Sequence, residues 1–300
     1  MSGALARILR IPLTLTVIVS VLIASVPIAM SLYAPYLVRP GIRCVRTGVI
    51  ATANPPFPAN MCQGLADLYH IRFLDLFVES MFRSLALLVG AAVLALIVGT
   101  LLGMTAALLR HRVWASGLII GLTTLITAVP AFFIAYFLQI AVILIGATPQ
   151  GGNLLPVFGF GYDAHLVLPL LSVSAPAVAY TAQLTAARTA EVLDMDFITA
   201  AHAKGLRTAW ILRVHVFPHV RPVVFEALGS GLRISVASLP IIEYLFLWRG
   251  IGQLALEAVG VHDAAGLIFC AAVLAGVFAT LSAIADVSRP RALYRTAASS

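Results

Sequence analysis

Charged residues are scarce in this 300-residue chain: they make up 10% of it, against 61% hydrophobic residues. Soluble domains carry about 25% charged residues, so a shortfall spread along the whole chain indicates that lipid is the main solvent. The formal net charge is +7, which on a soluble protein would suggest nucleic acid. At the ends of apolar helices, basic residues instead set membrane orientation, so we expect no nucleic-acid partner.

Cysteine is also rare, with three residues in the chain. Cys44 and Cys62 share a polar loop, whereas Cys270 lies in an apolar segment. Neither a CxxC pair nor a Cys/His cluster with metal-ligand spacing occurs, so we predict no metal site. A disulfide between Cys44 and Cys62 is open to this sequence if their loop faces an oxidising compartment; two unpaired thiols are the alternative.

Sequence signatures of catalysis are missing too. The phosphate-binding pattern GxxxxGK[ST] does not occur, and the only lysine, Lys204, precedes a glycine that opens no phosphate cradle. No Ser-His-Asp, HExxH or paired intramembrane Asp pattern supports a membrane-embedded enzyme. We therefore predict no catalytic residue, no cofactor and no ATPase site in this chain.

Long apolar runs are what the sequence has in abundance. Six of them reach or exceed the roughly 20 residues that a helix needs to cross ~30 Å of hydrocarbon, and helices satisfy their own backbone in lipid. The sequence therefore predicts an all-α integral membrane protein with six transmembrane helices, at 11–33, 82–109, 115–146, 164–187, 223–247 and 265–286. The first run is long for a cleaved signal, and we expect it to be retained.

The polar segments between these runs predict the topology. With the N-terminus in the cytoplasm, that side carries twice as many basic residues as the other, as the positive-inside rule requires. Both termini are then cytoplasmic. The predicted organisation is an N-terminal helix in 1–33, an extracytoplasmic segment 34–81, a membrane core 82–286 with a cytoplasmic loop 188–222, and a tail 287–300.

The cytoplasmic loop has a helix–turn–helix pattern. Asp196 is a plausible N-cap for a short Ala-rich helix, and Gly205 follows Lys204 at its expected C-terminus. Thr208 can cap a second helix, which Pro218 and Pro222 should interrupt before the fifth span. A simple amphipathic loop on the lipid headgroups is the alternative that periodicity leaves open.

This loop resembles the EAA loop of bacterial ATP-binding-cassette (ABC) importer permeases. That pattern has Glu-Ala-Ala, three residues, Gly, nine residues and Ile-x-Leu-Pro; here Thr199-Ala200-Ala201, Gly205 and His215-Val216-Phe217-Pro218 fall on the same spacing. The stretch Asp196–Leu206 is similar to the version in dipeptide, oligopeptide and nickel permeases. Glu243–Leu254 is similar to that family's ETVFxxPGLGxL, with Arg249 in place of Pro.

The resemblance covers roughly residues 80–295 and implies the type I ABC importer permease fold. It further implies a heterodimer with a second homologous permease, two cytoplasmic ATPase domains that bind ATP and Mg, and an extracytoplasmic substrate-binding protein in a bacterial plasma membrane. The loop would be the coupling helix that docks on the ATPase. The residues implied for coupling are Thr199, Ala200, Ala201, Ala203, Lys204, Gly205 and Pro218.

Charged residues in the fifth span predict a passage. A charge costs about 2.5 kcal/mol or more at the bilayer centre, so it usually marks a transport path. Glu226, Arg233 and Glu243 are candidates for the translocation pathway or gate, with Arg233 deepest; pairing of Arg233 with the partner permease is the alternative. The resulting hypothesis is a permease subunit for peptides or related small solutes. A stand-alone secondary transporter or channel remains the competing hypothesis.

Overall fold

The computed structural model describes residues 73–147, 155–260 and 264–288. The predicted first helix, Cys44, Cys62 and the basic tail lie outside these residues. The described part is helical, and we number its α-helices as listed here: α1 Phe73–Leu94, α2 Thr100–Leu108, α3 Val113–Ala128, α4 Ala131–Gly146, α5 Val167–Leu193, α6 Asp196–Ala203, α7 Thr208–Ile211, α8 Phe217–Phe246, α9 Ile251–Gly260 and α10 Ala264–Ser288. Short π-helical segments, Ala95–Gly99 and Leu212–Val216, join α1 to α2 and α7 to α8.

Three of these helical stretches are long and apolar enough to cross a membrane on their own: Phe77–Leu108, Ala164–Leu193 and Thr208–Phe246. The predicted spans 82–109, 164–187 and 223–247 fall largely within them. Helix α9 and the stretch Gly266–Ser282 of α10 are shorter apolar helices. The six-span count therefore stays a prediction, with three spans visible, or four if the bent pair α3–α4 counts as one.

The predicted third span, 115–146, is not one straight helix. It consists of α3 and α4, which meet at an angle of 106°. Between them Val129 is extended, with φ −92° and ψ 128°, because the ring of Pro130 disfavours α-helical geometry at the preceding residue. Proline also lacks the N–H that would continue the ladder. Hydropathy alone could not show this bend, although Pro130 marks its place.

Helix α5 is the centre of the bundle. It packs against α8 most extensively and also contacts α1, α2, α3 and α4. The second predicted span approaches it closely at two glycines: a Cβ at Gly99 would lie 2.9 Å from the carbonyl oxygen of Val178, and one at Gly103 would collide with the carbonyl oxygen of Ala182. Small residues at this spacing let membrane helices pack backbone to backbone.

The second predicted span, 82–109, begins earlier than hydropathy predicts. Helix α1 starts at Phe73, inside the predicted extracytoplasmic segment, because its acidic first turns lower the hydropathy there. Phe77 is buried and its ring packs edge-on against Phe269 of α10, with centroids 4.4 Å apart. This contact belongs to a small apolar cluster that also holds α9. Tertiary packing therefore extends the helix beyond its lipid-spanning part.

Candidate functional sites at the two ends of helix α8

Helix α8 has 30 residues and is about 45 Å long. One candidate site lies before its start, and a second lies at its end. The first is the coupling segment, residues Asp196–Pro218, which contains α6 and α7. The second is the Glu243 hub, formed by Ser84, Glu243 and the backbone of Gly250–Gln253. The resemblance to permease motifs singles out both stretches in the sequence, but only the structure shows their internal geometry.

Helix α6 of the coupling segment ends in a Schellman motif. Gly205 has a positive φ of 74°, which glycine adopts without the Cβ penalty of other residues. Its N–H donates to the carbonyl of His202 at 2.9 Å, and the Leu206 N–H donates to the carbonyl of Ala201 at 3.3 Å. The predicted helix is present, one residue earlier than expected: Asp196 is its first residue and Met195 its N-cap.

A compact apolar cluster fixes α6 to the bundle. Ile198 and Ala201 of α6 pack with Val192 at the end of α5 and with Ile211, Val216, Val220 and Val224 of the following helices. Ala201 is only 5% exposed, so its side chain faces this cluster and not the outside. Its predicted place on a docking surface is corrected accordingly: Ala201 anchors α6.

The remaining predicted residues of the segment are accessible. They are Thr199, Ala200, Ala203, Lys204, Gly205 and Pro218, all exposed. Apart from Pro218, at the start of α8, they form a surface of small side chains with one cation on the outer side of α6. We name Thr199, Ala200, Ala203, Lys204 and Gly205 the outer face of α6. Nothing lies within 4 Å of a Cβ built on Gly205, so the surface is open there.

Two features of this end were not predicted. The Arg110 guanidinium in the α2–α3 turn lies 2.8 Å from the Asp194 carboxylate, and it also donates to the carbonyl of Ala190 at 3.3 Å. This bridge ties the turn to the residues that lead into α6. The second feature is continuity: Pro218 and Pro222 do not interrupt the helix, because the π-helical segment Leu212–Val216 carries the chain from α7 directly into α8. Pro218 lies in the first turn of α8, directly after the π-helical segment.

At the other end, Glu243 is fully buried and accepts three hydrogen bonds. The Ser84 hydroxyl donates to one carboxylate oxygen at 2.5 Å, and the N–H groups of Gly252 and Gln253 donate to the other at 2.8 and 3.1 Å. Ser84 in turn accepts from the Ile251 N–H at 2.8 Å. The carboxylate thus caps the N-terminus of α9, where orphan N–H groups and the helix dipole favour an anion.

The glycines of this stretch leave room for the carboxylate. A Cβ on Gly250 would collide with the Glu243 carboxylate, and a Cβ on Gly252 would lie 2.5 Å from Cα of Pro240. Leu247 and Arg249 have positive φ values of 56° and 43°, an uncommon conformation for residues with a Cβ. The chain turns sharply here to bring α9 back against the end of α8.

An aromatic cluster covers the hub on one side. Trp248 is fully buried, and its indole N–H donates to the carbonyl of Arg83 at 3.1 Å. Its ring centroid lies 4.9 Å from that of Phe160, and the Arg83 guanidinium lies 4.1 Å from the Phe160 centroid. Arg83 also pairs with Glu79. These residues come from three separate segments, so no local sequence pattern could have grouped them.

The three predicted passage residues do not share one environment. Glu226 and Arg233 are half-buried on α8, and Arg233 donates to the Ser230 hydroxyl at 2.8 Å. Glu243 is enclosed by its own subunit, with 0% of its surface exposed. Its predicted role at a passage surface does not fit this position, since its carboxylate is bonded to Ser84 of α1 and to the start of α9 inside one subunit. Glu243 is a structural residue of the hub.

Comparison with known proteins identifies the family. Residues 99–293 match the family described as binding-protein-dependent transport system inner membrane component. The chain is 28% identical over 218 residues to the putrescine export system permease protein SapB of Escherichia coli (strain K12), covering 64% of this chain and 68% of that protein. The peptide transport system permease protein SapB of Salmonella typhimurium is similar to the same extent.

A solved structure supports the fold. The MetNI methionine ABC transporter, described in inward-facing conformations, aligns with a TM-score of 0.53 at 15% identity, covering 72% of this chain and 98% of the matched chain. At this identity the likeness concerns the fold alone, a type I ABC permease fold. The chain therefore belongs to the family of binding-protein-dependent inner-membrane transport components, and it is a multi-pass permease subunit of an ABC importer that works with an ATPase.

Proposed function

We propose that the outer face of α6 docks on a cytoplasmic ATPase and transmits its movement into the membrane. The observation that carries this proposal is the division of α6 into two sides: Ile198 and Ala201 anchor it to α5 and α8, while Thr199, Ala200 and Ala203 stay exposed. A helix that is held on one side and presents small, exposed residues on the other allows another protein to approach it closely. Both termini of the chain then lie in the cytoplasm.

The mechanical link from this surface to the membrane is short. The coupling segment continues through the π-helical segment into α8, the helix that carries Glu226 and Arg233. A push on α6 therefore acts on the start of α8 and, through Val192, on the end of α5. ATP and Mg bind to the partner ATPase, and this chain supplies the movement of the two central helices.

The translocation pathway uses the incompletely covered face of α8. Arg233 lies near the middle of this helix and is only half-buried, and a charge at that depth is costly against lipid. A second, homologous permease facing Arg233 and Glu226 would shield both from lipid and complete a polar passage. The hub end of α8 then faces outward, where an extracytoplasmic binding protein delivers the cargo.

Peptides are the cargo class that we propose. The support is the resemblance of Asp196–Leu206 and Glu243–Leu254 to dipeptide and oligopeptide permeases, together with the peptide-transport name of the Salmonella relative. Another relative is named for putrescine export. A small polyamine is therefore the second candidate, and it would also reverse the direction of transport.

Co-purification tests the docking surface. The permease pair and its ATPase are expressed together, and the ATPase retained on a tagged permease is measured. Ala203→Asp, which adds a charge to the outer face of α6, should release most of the ATPase. The same change at the exposed Ala164, three residues before the start of α5 and remote from α6, serves as the control. Full retention by the Ala203 variant would contradict docking at this face.

A transport assay identifies the cargo. Proteoliposomes that contain the whole complex are supplied with its binding protein and with labelled dipeptides, oligopeptides, glutathione or putrescine. Peptide uptake that depends on ATP supports the proposal. ATP-dependent movement of putrescine alone would replace the cargo while leaving the docking surface intact.

A further inference from the structure

An otherwise neutral strip of α8 carries one cation. The strip consists of Ser230, Arg233, Ala237, Ile241 and Tyr244, at spacings of three and four residues that keep them on one side of the helix. Ala237, Ile241 and Tyr244 are exposed, and Ser230 and Arg233 are half-buried. We propose that Arg233 binds the terminal carboxylate of a peptide as it crosses the membrane and thereby selects peptides over polyamines. The inference rests on the proposed function, in which this side of α8 lines the passage.

The bundle occupies the other side of α8. A Cβ on Gly231 would lie 2.7 Å from Cα of Ala177 in α5, and the Ser235 hydroxyl donates to the carbonyl of Val173 at 2.7 Å. Each residue turns an α-helix by about 100°. The Arg233 side chain therefore leaves the helix on nearly the opposite side from the contact at Gly231, and the strip faces out of this subunit.

Arg233 lies at the depth of the hydrocarbon core. About 20 Å of helix separates it from Phe246, the last residue of α8, and the core is about 30 Å thick. With Phe246 at the outer edge of the core, as the proposed orientation requires, the guanidinium lies inside the core and not in a headgroup layer. A cation at that depth is costly against lipid, so the strip suits a passage that admits an anionic group.

Among the described residues, the charge of Arg233 has no fixed counterion. Its guanidinium donates to the Ser230 hydroxyl at 2.8 Å, a neutral acceptor, whereas Arg110 is paired with the carboxylate of Asp194. Glu226 lies about 10 Å away along the helix axis, too far for a direct ion pair. A guanidinium has five N–H donors in a planar fork, and a carboxylate accepts two of them side by side. Most donors of Arg233 are therefore left for an anion that passes.

A peptide and a polyamine differ in the group that meets this cation. A peptide ends in a carboxylate, which the guanidinium attracts and orients. Putrescine carries two ammonium groups and no anion, so Arg233 repels it. Amidation of the C-terminus removes the anion of a peptide and keeps its size and sequence. A peptide amide is therefore the probe that isolates the contact with Arg233.

Uptake by the intact complex in proteoliposomes tests the inference. A labelled tripeptide and its C-terminal amide are each supplied with ATP, at a concentration that saturates the binding protein, and the ratio of their initial uptake rates is measured. Arg233→Gln should lower this ratio about tenfold relative to the wild type, because hydrogen bonds between charged groups contribute a factor of that order. Selection by the binding protein is the same in both complexes and cancels.

Three further variants assign the effect to the guanidinium. Arg233→Met, a second neutral side chain, should lower the ratio as Arg233→Gln does. Arg233→Lys keeps the charge without the planar fork and should retain most of the ratio. Arg112→Gln, at an exposed arginine of the α2–α3 turn, should leave the ratio unchanged, and an equal fall in this variant would overturn the assignment.

Two results would contradict the inference in different ways. An unchanged ratio in both neutral Arg233 variants, with peptide uptake still driven by ATP, would show that Arg233 serves the protein and not the cargo, and it would leave the proposed function intact. ATP-dependent movement of putrescine without either peptide would overturn both this inference and the proposed peptide cargo.

Discussion

The hub and the coupling segment are held in place by opposite kinds of contact. At the hub, a buried carboxylate, a hydroxyl and several N–H groups bond one another inside a single subunit. At the coupling segment, an apolar cluster holds one side of α6, and the other side is left exposed. One end of α8 is therefore closed upon itself, and the other is open to partners. The difference suggests a fixed pivot and a moving contact on the same helix.

Removing the carboxylate of the hub should have the largest effect on stability. In Glu243→Ala, three donors lose their acceptor, and each buried unsatisfied donor costs about 1–3 kcal/mol. We expect the free energy of unfolding to fall by at least about 3 kcal/mol, with little protein recovered in membranes. Thermal unfolding of the purified subunit measures this.

Glu79→Gln is the control for Glu243→Ala, because Glu79 pairs with Arg83 but is 58% exposed. Water can replace Glu79 as a partner, and Arg83, although only 11% exposed, keeps its contact with the Phe160 ring, so we expect a loss of about 1 kcal/mol. An equal loss of stability in the two variants would mean that the buried network is not what holds this end together.

A charge on the anchored side of α6 should have the next largest effect on stability. Ala201→Asp places a carboxylate in the cluster of Ile198, Ile211 and Val216, where an unpaired charge is strongly unfavourable. We expect a loss of several kcal/mol. Ala200→Asp, on the exposed side of the same helix, should cost less than about 0.5 kcal/mol. Equal stability of the two variants would contradict the two-sided description of α6.

A methyl group at Gly252 should destabilise the hub by overpacking. Its Cβ would meet the backbone of Pro240, which cannot move aside as a flexible side chain can. Overpacked sites cost about 1–3 kcal/mol. At Gly260, in the same helix, nothing lies within 4 Å of an added Cβ, so Gly260→Ala should be neutral or slightly stabilising. If the Gly252 variant is equally stable, then α9 is not closely packed on α8.

The smallest effect is expected for the bridge between Arg110 and Asp194. The Asp194 side chain is 67% exposed, and exposed pairs contribute about 0.2–1 kcal/mol. A double-mutant cycle of Arg110→Gln and Asp194→Asn should give a coupling energy in this range, reduced by salt. A coupling energy above about 2 kcal/mol would show that this bridge is a main support of the coupling segment.

Sequence predicted the parts that depend on local pattern. The apolar runs located the long helices, and the spacing of Ala200, Ala201 and Gly205 located α6 and its C-cap. Helix direction could not be predicted across Pro130, because proline breaks a helix without fixing the new angle. Nor could the sequence tell which side of α6 faces inward, so it gave Ala200 and Ala201 the same role.

Contacts between residues far apart in the sequence explain the features that the sequence did not predict. Glu243 and Ser84 are 159 residues apart, and a charge in an apolar run predicts a passage as readily as a buried cap. The glycines that follow Glu243 carried the only local signal of a cap, since two close glycines at a helix start suggest that another group approaches the backbone. The span count and the passage roles of Glu226 and Arg233 remain predictions.

ATP hydrolysis by the reconstituted complex tests the central claim most directly, namely that the outer face of α6 couples this permease to its ATPase. Hydrolysis is measured with and without the loaded binding protein, for the wild type, for Gly205→Glu and for Arg112→Glu at an exposed residue of the α2–α3 turn. The account predicts that Gly205→Glu abolishes the stimulation in an assembled permease pair, while Arg112→Glu retains it. Normal stimulation in the Gly205 variant would contradict the account.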